Sequence, residues 1–376
     1  MNIPIAKPYL AKEEAQAAYD VILTNWVTQG PKVQEFEEKF AKYVGAKYAV
    51  AVSNCTTALH LAMIVSEIKE GDEVLCPSMS FIATANTIMY VNAKPVFAEV
   101  DEHYNLDVKD AERKITKKTK AILIVHQIGM PANIDAFKKL CKKYNLKLIE
   151  DAACAAGSEY NGKKIGSHSD LVCFSFHPRK VITTGDGGMI TTSNEKFYER
   201  LKLLRQHGMS VNDRVRHLSK KIITEEYFEV GYNYRMTDIQ AAVGIQQLEK
   251  LDWIVSERRK IAIKYHKAFR DIDCIRLPIE EDGCFSNYQS YSIYLKKNCP
   301  FERNDLMQNL LDIGVSTRRG VMTSHREMAY KNYCKGLKLP KTEDIADRSI
   351  IIPLYVPMSG EEINYVISSF KSLLKK

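Results

Sequence analysis

The chain has 376 residues, 45% hydrophobic and 27% charged, which is enough for two or three units with sizeable cores. Its net charge of +8, from 54 basic against 46 acidic residues, is spread in short clusters such as KDAERKITKKTK (109–120). That pattern is a solvated lysine-rich surface with a mild attraction for phosphorylated substrates, and it lacks the basic stripe with interleaved aromatics of a nucleic-acid module.

The most apolar runs, AILIV (121–125) and IIIPLYV (350–356), are of strand length and fall short of the ~18 residues of a bilayer span. The opening MNIPIAKPYLAKEEAQ does not read as a secretory signal, so a cytoplasmic protein without membrane or nucleic-acid partners is expected. The nine cysteines are odd in number and contain no C-x-x-C pair. They read as reduced thiols, with no metal site expected.

In chain order, KVQEFEEKFAKYV (32–44) has helical periodicity and AKYAVAVSN (46–54) reads as a strand entering a polar turn. TTALHLAMIVSEI (56–68) follows as a helix, expected to be capped by the preceding Ser and Thr. EVLCPS (73–78), KPVFAEVD (94–101), AILIVHQIG (121–129) and LKLIEDAA (146–153) read as strands, with helices such as IDAFKKLCKKYN (134–145) between several of them. This alternation predicts an α/β domain with a mainly parallel sheet and ligands at the strands' carboxyl ends.

After the strongly helical stretch 237–269 the texture changes. QSYSIYLKK (289–297) is strand-like, FERNDLMQNLLDIG (301–314) helical, RSIIIPLYV (348–356) strand-like, and SGEEINYVISSFKSLL (359–374) a Ser-capped helix. A large domain over 1–249 and a smaller α+β domain over 250–376 are expected.

Four stretches with chemical potential end at the same sheet edge on this reading. SNCTTALH (53–60) is a polar strand-to-helix turn whose free amides and hydroxyls suit an anion, or are ordinary caps. In IEDAACAAG (149–157), Asp151 leaves a strand either as a helix N-cap or as a charge for a cationic partner. In FSFHPRKVITTGDGGMITT (174–192), Ser175 and Lys180 face one pocket, and Gly185, Gly187 and Gly188 allow a tight turn beside them. In GYNYRMTD (231–238), Thr237 or Asp238 is placed to cap the long helix. A lysine, a strand-end aspartate and an anion cradle together meet the needs of pyridoxal 5′-phosphate (PLP): an amine for the aldehyde, a carboxylate for the pyridine nitrogen and donors for the phosphate.

GYNYRMTDIQAA, FSFHPRKVITTGDGGMI, IEDAACAAGS and WVTQGPKVQEFEEKFAKYVGAKYAVAVSN resemble the DegT/DnrJ/EryC1/StrS family of sugar aminotransferases, as do GVSTRR (314–319), SHRE (324–327) and RSIIIPLYVPMSGEEI (348–363). The resemblance implies a fold-type I, aspartate-aminotransferase-like homodimer. Such an enzyme moves an amino group, usually from L-glutamate, onto a nucleotide-linked keto sugar for cell-surface polysaccharide or glycoconjugate synthesis. It implies that Lys180 is the Schiff-base lysine and Asp151 the partner of the pyridine nitrogen. Thr56, Thr57 and Ser175 match phosphate contacts, Phe81 the aromatic stacked on the ring, and Asn233 a phosphate ligand from the neighbouring subunit. Arg318, Arg319 and His325 are candidates for the sugar nucleotide, or surface residues.

The chain departs from the pattern at Cys154, where the family commonly has Gln or His at the cofactor's phenolic oxygen, at Cys55 for a usual glycine, and at Asp186 for a usual Glu. Two other readings are a sugar dehydrase of the same fold, which carries histidine at the lysine position, and a non-catalytic PLP-binding regulator.

Overall fold

The computed structural model describes residues 1–211, 216 and 219–374. A seven-stranded sheet runs in the order Tyr48–Val52, Gly188–Thr192, Leu171–Ser175, Lys147–Asp151, Thr119–Val125, Glu73–Pro77 and Lys94–Ala98. From Leu171–Ser175 to Lys94–Ala98 every pairing is parallel. Gly188–Thr192 runs antiparallel to both of its neighbours. The sheet is buried on both faces, and successive side chains alternate between the two. Val172 and Phe174 enter one apolar cluster, whereas Leu171 and Cys173 enter the other.

The register sets the site. Val52 and Ser175 both pair with Gly188, so these three residues form one row, and Cys173 pairs with Asp151 one strand further on. Helix Cys55–Val65 starts directly from this row. A Cβ on Gly188 would fall 2.5 Å from the Asn54 carbonyl oxygen, so glycine is what lets the strand touch the helix N-terminus.

The 32-residue helix Asp238–Phe269 is capped by Thr237, whose side chain accepts from Gln240 N. Asp238 does something the sequence did not suggest. Its Oδ1 accepts from the amides of Gly30 (2.8 Å) and Val33 (2.9 Å), and its Oδ2 from Lys32 N (3.1 Å). Helix Pro31–Val44 begins with a proline that has no N–H, so one buried carboxylate satisfies the remaining donors of that helix end.

The second sheet is antiparallel, in the order Ile275–Arg276, Tyr291–Leu295, Ser349–Ile352 and Arg318–Arg319. Its strand Ser349–Ile352 ends before Pro353, which cannot donate to a ladder. The chain start belongs here as well: Ile3 N donates to Gly314 O (2.7 Å) and Ser316 N to Ile3 O (2.9 Å). Position 250 lies inside the unbroken helix Asp238–Phe269, and one apolar cluster runs from Phe36 and Ile124 through Ile245 to Phe269, Tyr291 and Phe370. Strand Cys284–Phe285 pairs with Glu159–Tyr160 of the first part. Among the described residues no helix is long and apolar enough to cross a membrane.

Removing the Asp238 carboxylate leaves three helix-end amides without a partner. Asp238→Ala is expected to cost about 3 kcal/mol, read as a lower urea midpoint with an unchanged slope. A shift within error of wild type would show that those amides find other partners.

Candidate active site

Lys180 lies in the segment between strands Leu171–Ser175 and Gly188–Thr192. The base of this loop is closed by Phe176 N to Gly187 O (2.8 Å), and Thr183 Oγ1 donates to Phe176 O (2.8 Å). The Lys180 side chain reaches back over the sheet edge, where Nζ donates to Cys154 Sγ at 3.3 Å. Burial works against its ammonium, but contact with Cys154 and the nearby Asp151 and Cys55 outweigh that and hold Lys180 above its ordinary range.

Asp151 is the last residue of strand Lys147–Asp151 and is buried. Its Oδ2 accepts from Thr84 Oγ1 (2.8 Å) and its Oδ1 from Ala153 N (3.1 Å). Ser80 Oγ lies 2.7 Å from Thr84 Oγ1 and extends the chain of hydroxyls. Burial pushes the Asp151 carboxyl up, against the opposing hydrogen bonds from Thr84 and Ala153 and the charge of Lys180. Among the described residues no cation forms an ion pair with it. A protonated ring nitrogen directed at this carboxylate would supply that missing charge.

Helix Cys55–Val65 is capped by Asn54, not by the Ser and Thr residues expected: Thr57 N donates to Asn54 Oδ1 at 2.9 Å. The Thr57 hydroxyl is committed to the same cap, donating to Asn54 O (2.8 Å). The first-turn amides of Cys55 and Thr56 have no partner inside the helix, and the Thr56 hydroxyl stands beside them. Among the described residues Ser175 Oγ, in the same row, accepts only a long bond from His177 N (3.4 Å) and keeps its proton to donate. These donors at a helix N-terminus fit a phosphate. Cys55 is enclosed, and burial pushes its thiol well above the ordinary range.

The other sequence candidates fall in different places. Phe81, just ahead of helix Ala83–Tyr90, is 65% exposed. Asn233 is exposed and bridges to Gln206, while the adjacent Tyr234 accepts through its carbonyl from Ser53 N (2.8 Å). Arg318 and Arg319 lie exposed on the second sheet, with Arg319 paired to Glu327 at 3.3 Å. His325 is buried: Ser78 Oγ lies 2.5 Å from Nδ1 and Glu343 Oε1 lies 3.1 Å from Nε2. Both ring nitrogens are therefore engaged, and His325 joins the end of strand Glu73–Pro77 to helix Pro340–Arg348.

Sequence reasoning did not find Thr84 or Ser80, although both lie in PSMSFIATAN beside Phe81. Small hydroxyls at a helix start read as caps, and nothing in their spacing points to a carboxylate 67 positions away. Nor did it find Asn287, whose Nδ2 donates to the carbonyls of Cys154 and Ala156, both at 2.8 Å.

Residues 8–371 match the model of the DegT/DnrJ/EryC1/StrS aminotransferase family. The chain belongs to that family. It is 37% identical to GDP-perosamine synthase of Escherichia coli O157:H7, over 98% of this chain and 97% of that protein. It is 35% identical to the spore coat polysaccharide biosynthesis protein SpsC of Bacillus subtilis, over 99% of this chain and 97% of that one. A candidate sugar aminotransferase from Streptococcus pneumoniae, solved in its PLP form, superposes with a TM-score of 0.92 at 27% identity, covering 100% of this chain and 99% of the other. The protein is thus a PLP-dependent sugar aminotransferase with the fold-type I architecture expected from the sequence.

Thr84→Val keeps the side-chain shape and removes one hydrogen bond to a buried carboxylate, worth about 1.5–3 kcal/mol. It is expected to weaken PLP binding roughly tenfold or more, followed by cofactor absorbance on titration. Unchanged affinity would show that Thr84 only packs against Asp151.

Proposed function

We propose that this aminotransferase takes its amino group from L-glutamate and delivers it to the keto group of a nucleotide-linked sugar destined for a cell-surface polysaccharide or glycoconjugate. The proposed active form is a cytoplasmic homodimer with shared sites. The observation that carries the reading is the meeting, at one sheet edge, of the Lys180 amine, the Asp151 carboxylate without an ion pair and the free amides of Cys55 and Thr56. The likeness to GDP-perosamine synthase supports a nucleotide-linked substrate, and the likeness to SpsC supports the polysaccharide destination.

PLP, once bound, supplies an electron-withdrawing ring that stabilises the carbanion formed when a proton leaves the carbon bearing the amino group. In the proposal Asp151 keeps the ring nitrogen protonated, and Thr84 holds that carboxylate in place. Thr56 and Ser175 hold the phosphate, and Thr57, whose amide and hydroxyl are both bonded to Asn54, shapes the cradle from the first turn of the helix. The exposed ring of Phe81 covers the cofactor face. Lys180 Nζ takes the proton from the donor's α-carbon and, in the second half-reaction, returns one to the sugar carbon that carried the keto group.

Arg318 and Arg319, exposed and cationic, are the proposed contacts for the nucleotide's phosphates. His325 is left out of this set because both of its ring nitrogens are bonded within the chain. A dehydrase of the same fold carries histidine where this chain keeps Lys180, which disfavours that reading.

Borohydride reduction of the PLP-loaded enzyme is expected to fix the cofactor on Lys180, and Lys180→Ala to abolish turnover of glutamate with keto-sugar nucleotides. A reduced adduct mapped by mass spectrometry to a different lysine would overturn the assignment.

The shared site is tested by complementation. Asn233 makes no side-chain hydrogen bond within its own chain among the described residues, and the next residue, Tyr234, is bonded to Ser53, two residues before helix Cys55–Val65. Lys180→Ala and Asn233→Ala chains, each nearly inactive, are co-refolded into differentially tagged mixed dimers. If Asn233 serves the partner's site, one of the two sites in each mixed dimer is intact and activity returns. Mixed dimers as inactive as their parents would place Asn233 in its own subunit's site.

A further inference from the structure

We propose that Cys154 and Lys180 form a peroxide-sensitive pair, in which an oxidised Cys154 sulfur is captured by the Lys180 amine as a covalent sulfur–nitrogen link. The inference rests on the reading of Lys180 as the reacting lysine, and it concerns a residue in which this chain departs from its family's usual Gln or His. Neither of those side chains can undergo the same oxidation.

The geometry is that of a poised pair. Lys180 Nζ lies 3.3 Å from Cys154 Sγ, close to the separation at which two groups react without further search. Both backbones are held by one short segment. Asn287 Nδ2 donates to Cys154 O (2.8 Å), Gln289 N donates to Asn287 Oδ1 (2.8 Å), and Gln289 Nε2 donates to Arg179 O (2.9 Å), the residue before Lys180. That segment is itself anchored by the buried Arg258, whose guanidinium donates to the carbonyls of Tyr288 (2.8 Å) and Gln289 (2.6 Å). The backbones that carry thiol and amine are therefore held relative to one another by hydrogen bonds that oxidation does not touch.

Cys154 is also better placed for oxidation than its neighbours. It is half-buried, whereas Cys55 and Cys173 are enclosed and burial raises their thiols well above the ordinary range, which keeps them unreactive. Hydrogen peroxide is the proposed oxidant. The Cys154 sulfur attacks one peroxide oxygen, the O–O bond breaks, and the displaced hydroxide leaves as water with the thiol proton, giving a sulfenic acid.

The Lys180 amine then donates its lone pair to that sulfur. The S–OH bond breaks, the hydroxyl leaves with an amine proton as a second water, and an S–N bond remains. Sulfur has lost two electrons and peroxide has gained them. The neutral amine is the nucleophile, and oxidation removes the thiol's share of the interactions that favour the ammonium, leaving those of Asp151 and Cys55. A dithiol reductant reverses the link by attacking sulfur and releasing the amine.

The test uses full-length enzyme in a Cys274→Ser background, because Cys274 lies beside Cys299 and a disulfide there would give the same mass change. Samples loaded with PLP, and samples from which PLP has been withdrawn with hydroxylamine, are exposed to hydrogen peroxide and examined by intact mass and peptide mapping. The withdrawn sample is expected to become lighter by two hydrogens, with the peptide holding Cys154 joined to the peptide holding Lys180. Dithiothreitol should reverse the link, and activity after PLP is restored should fall in proportion to the cross-linked fraction. The loaded sample, whose amine is occupied, and the Cys154→Ser variant should resist cross-linking. Recovery of Cys154 as a dimedone-trapped sulfenic acid or a sulfinic acid, with Lys180 unmodified, would overturn the proposal. The mass readout needs no turnover, so an error in the role given to Lys180 shows in the borohydride map and an error here shows in the cross-link.

Discussion

The site depends on a backbone contact: strand Gly188–Thr192 meets the N-terminus of helix Cys55–Val65 with no side chain between them. That strand is the antiparallel member of an otherwise parallel arrangement, and it brings Val52 and Ser175 into register on its two sides. Because the chain reverses between Ser175 and Gly188, the loop carrying Lys180 must emerge at the same edge as the helix amides. A parallel strand in that place would have needed a crossover helix over the face of the sheet and would have carried the loop away from this edge. The lysine and the amides at this helix N-terminus are thus neighbours by topology before any side-chain contact is made.

Strand Lys147–Asp151 shows how the protein handles two consecutive buried carboxylates. Glu150 and Asp151 point to opposite faces because the side-chain period of a strand is two. Glu150 is closed off by His126, whose Nε2 lies 2.8 Å from Glu150 Oε2 while its Nδ1 accepts from Ala132 N at 3.0 Å. The amide at Nδ1 puts the imidazole proton on Nε2, so the ring donates to Glu150 and holds that carboxyl below its ordinary range despite burial. Asp151 receives only a hydroxyl and an amide, and burial moves it the other way. The same strand therefore carries one carboxylate bonded to an imidazole through Oε2, with its buried Oε1 unpartnered among the described residues, and one bonded only to neutral donors, which a cationic ligand would complete.

Much of this was legible in the sequence where the information is local. Apolar runs of strand length placed the sheet, and a lysine and an aspartate at strand ends followed by small residues marked the candidate site that the fold brings to one edge. What the sequence did not show is what the chain does with its polar side chains over long separations. Asp238 reads as a cap of its own helix, yet it satisfies the start of another helix about two hundred positions earlier. His325 reads as a contact for a sugar nucleotide or a surface residue, yet it is buried and bonded to Ser78, 247 positions away. Asn54 rather than its Ser and Thr neighbours caps helix Cys55–Val65, because asparagine is extended there while the threonines already lie in the helix. Pattern and propensity describe neighbours along the chain, whereas these contacts depend on the completed fold.

The second sheet also reaches the site, through hydrogen bonds rather than through a reacting side chain. Asn287 has one face against Cys154 and Ala156, and Gly129 must be a glycine because a Cβ there would overlap the Asn287 amide oxygen. Gly129 also has φ of +97°, a conformation that other residues enter at a cost. Arg258 ties the following carbonyls to the long helix and, through Leu354 O at 3.2 Å, to the segment after strand Ser349–Ile352. A shift of the second sheet against the first would therefore act on Asn287 and Gln289 and, through them, on the backbones of Cys154 and Arg179. The relative placement of the backbones that carry Lys180 and Cys154 is in this sense a property of how the two sheets are joined, and not of the loop that carries the lysine alone.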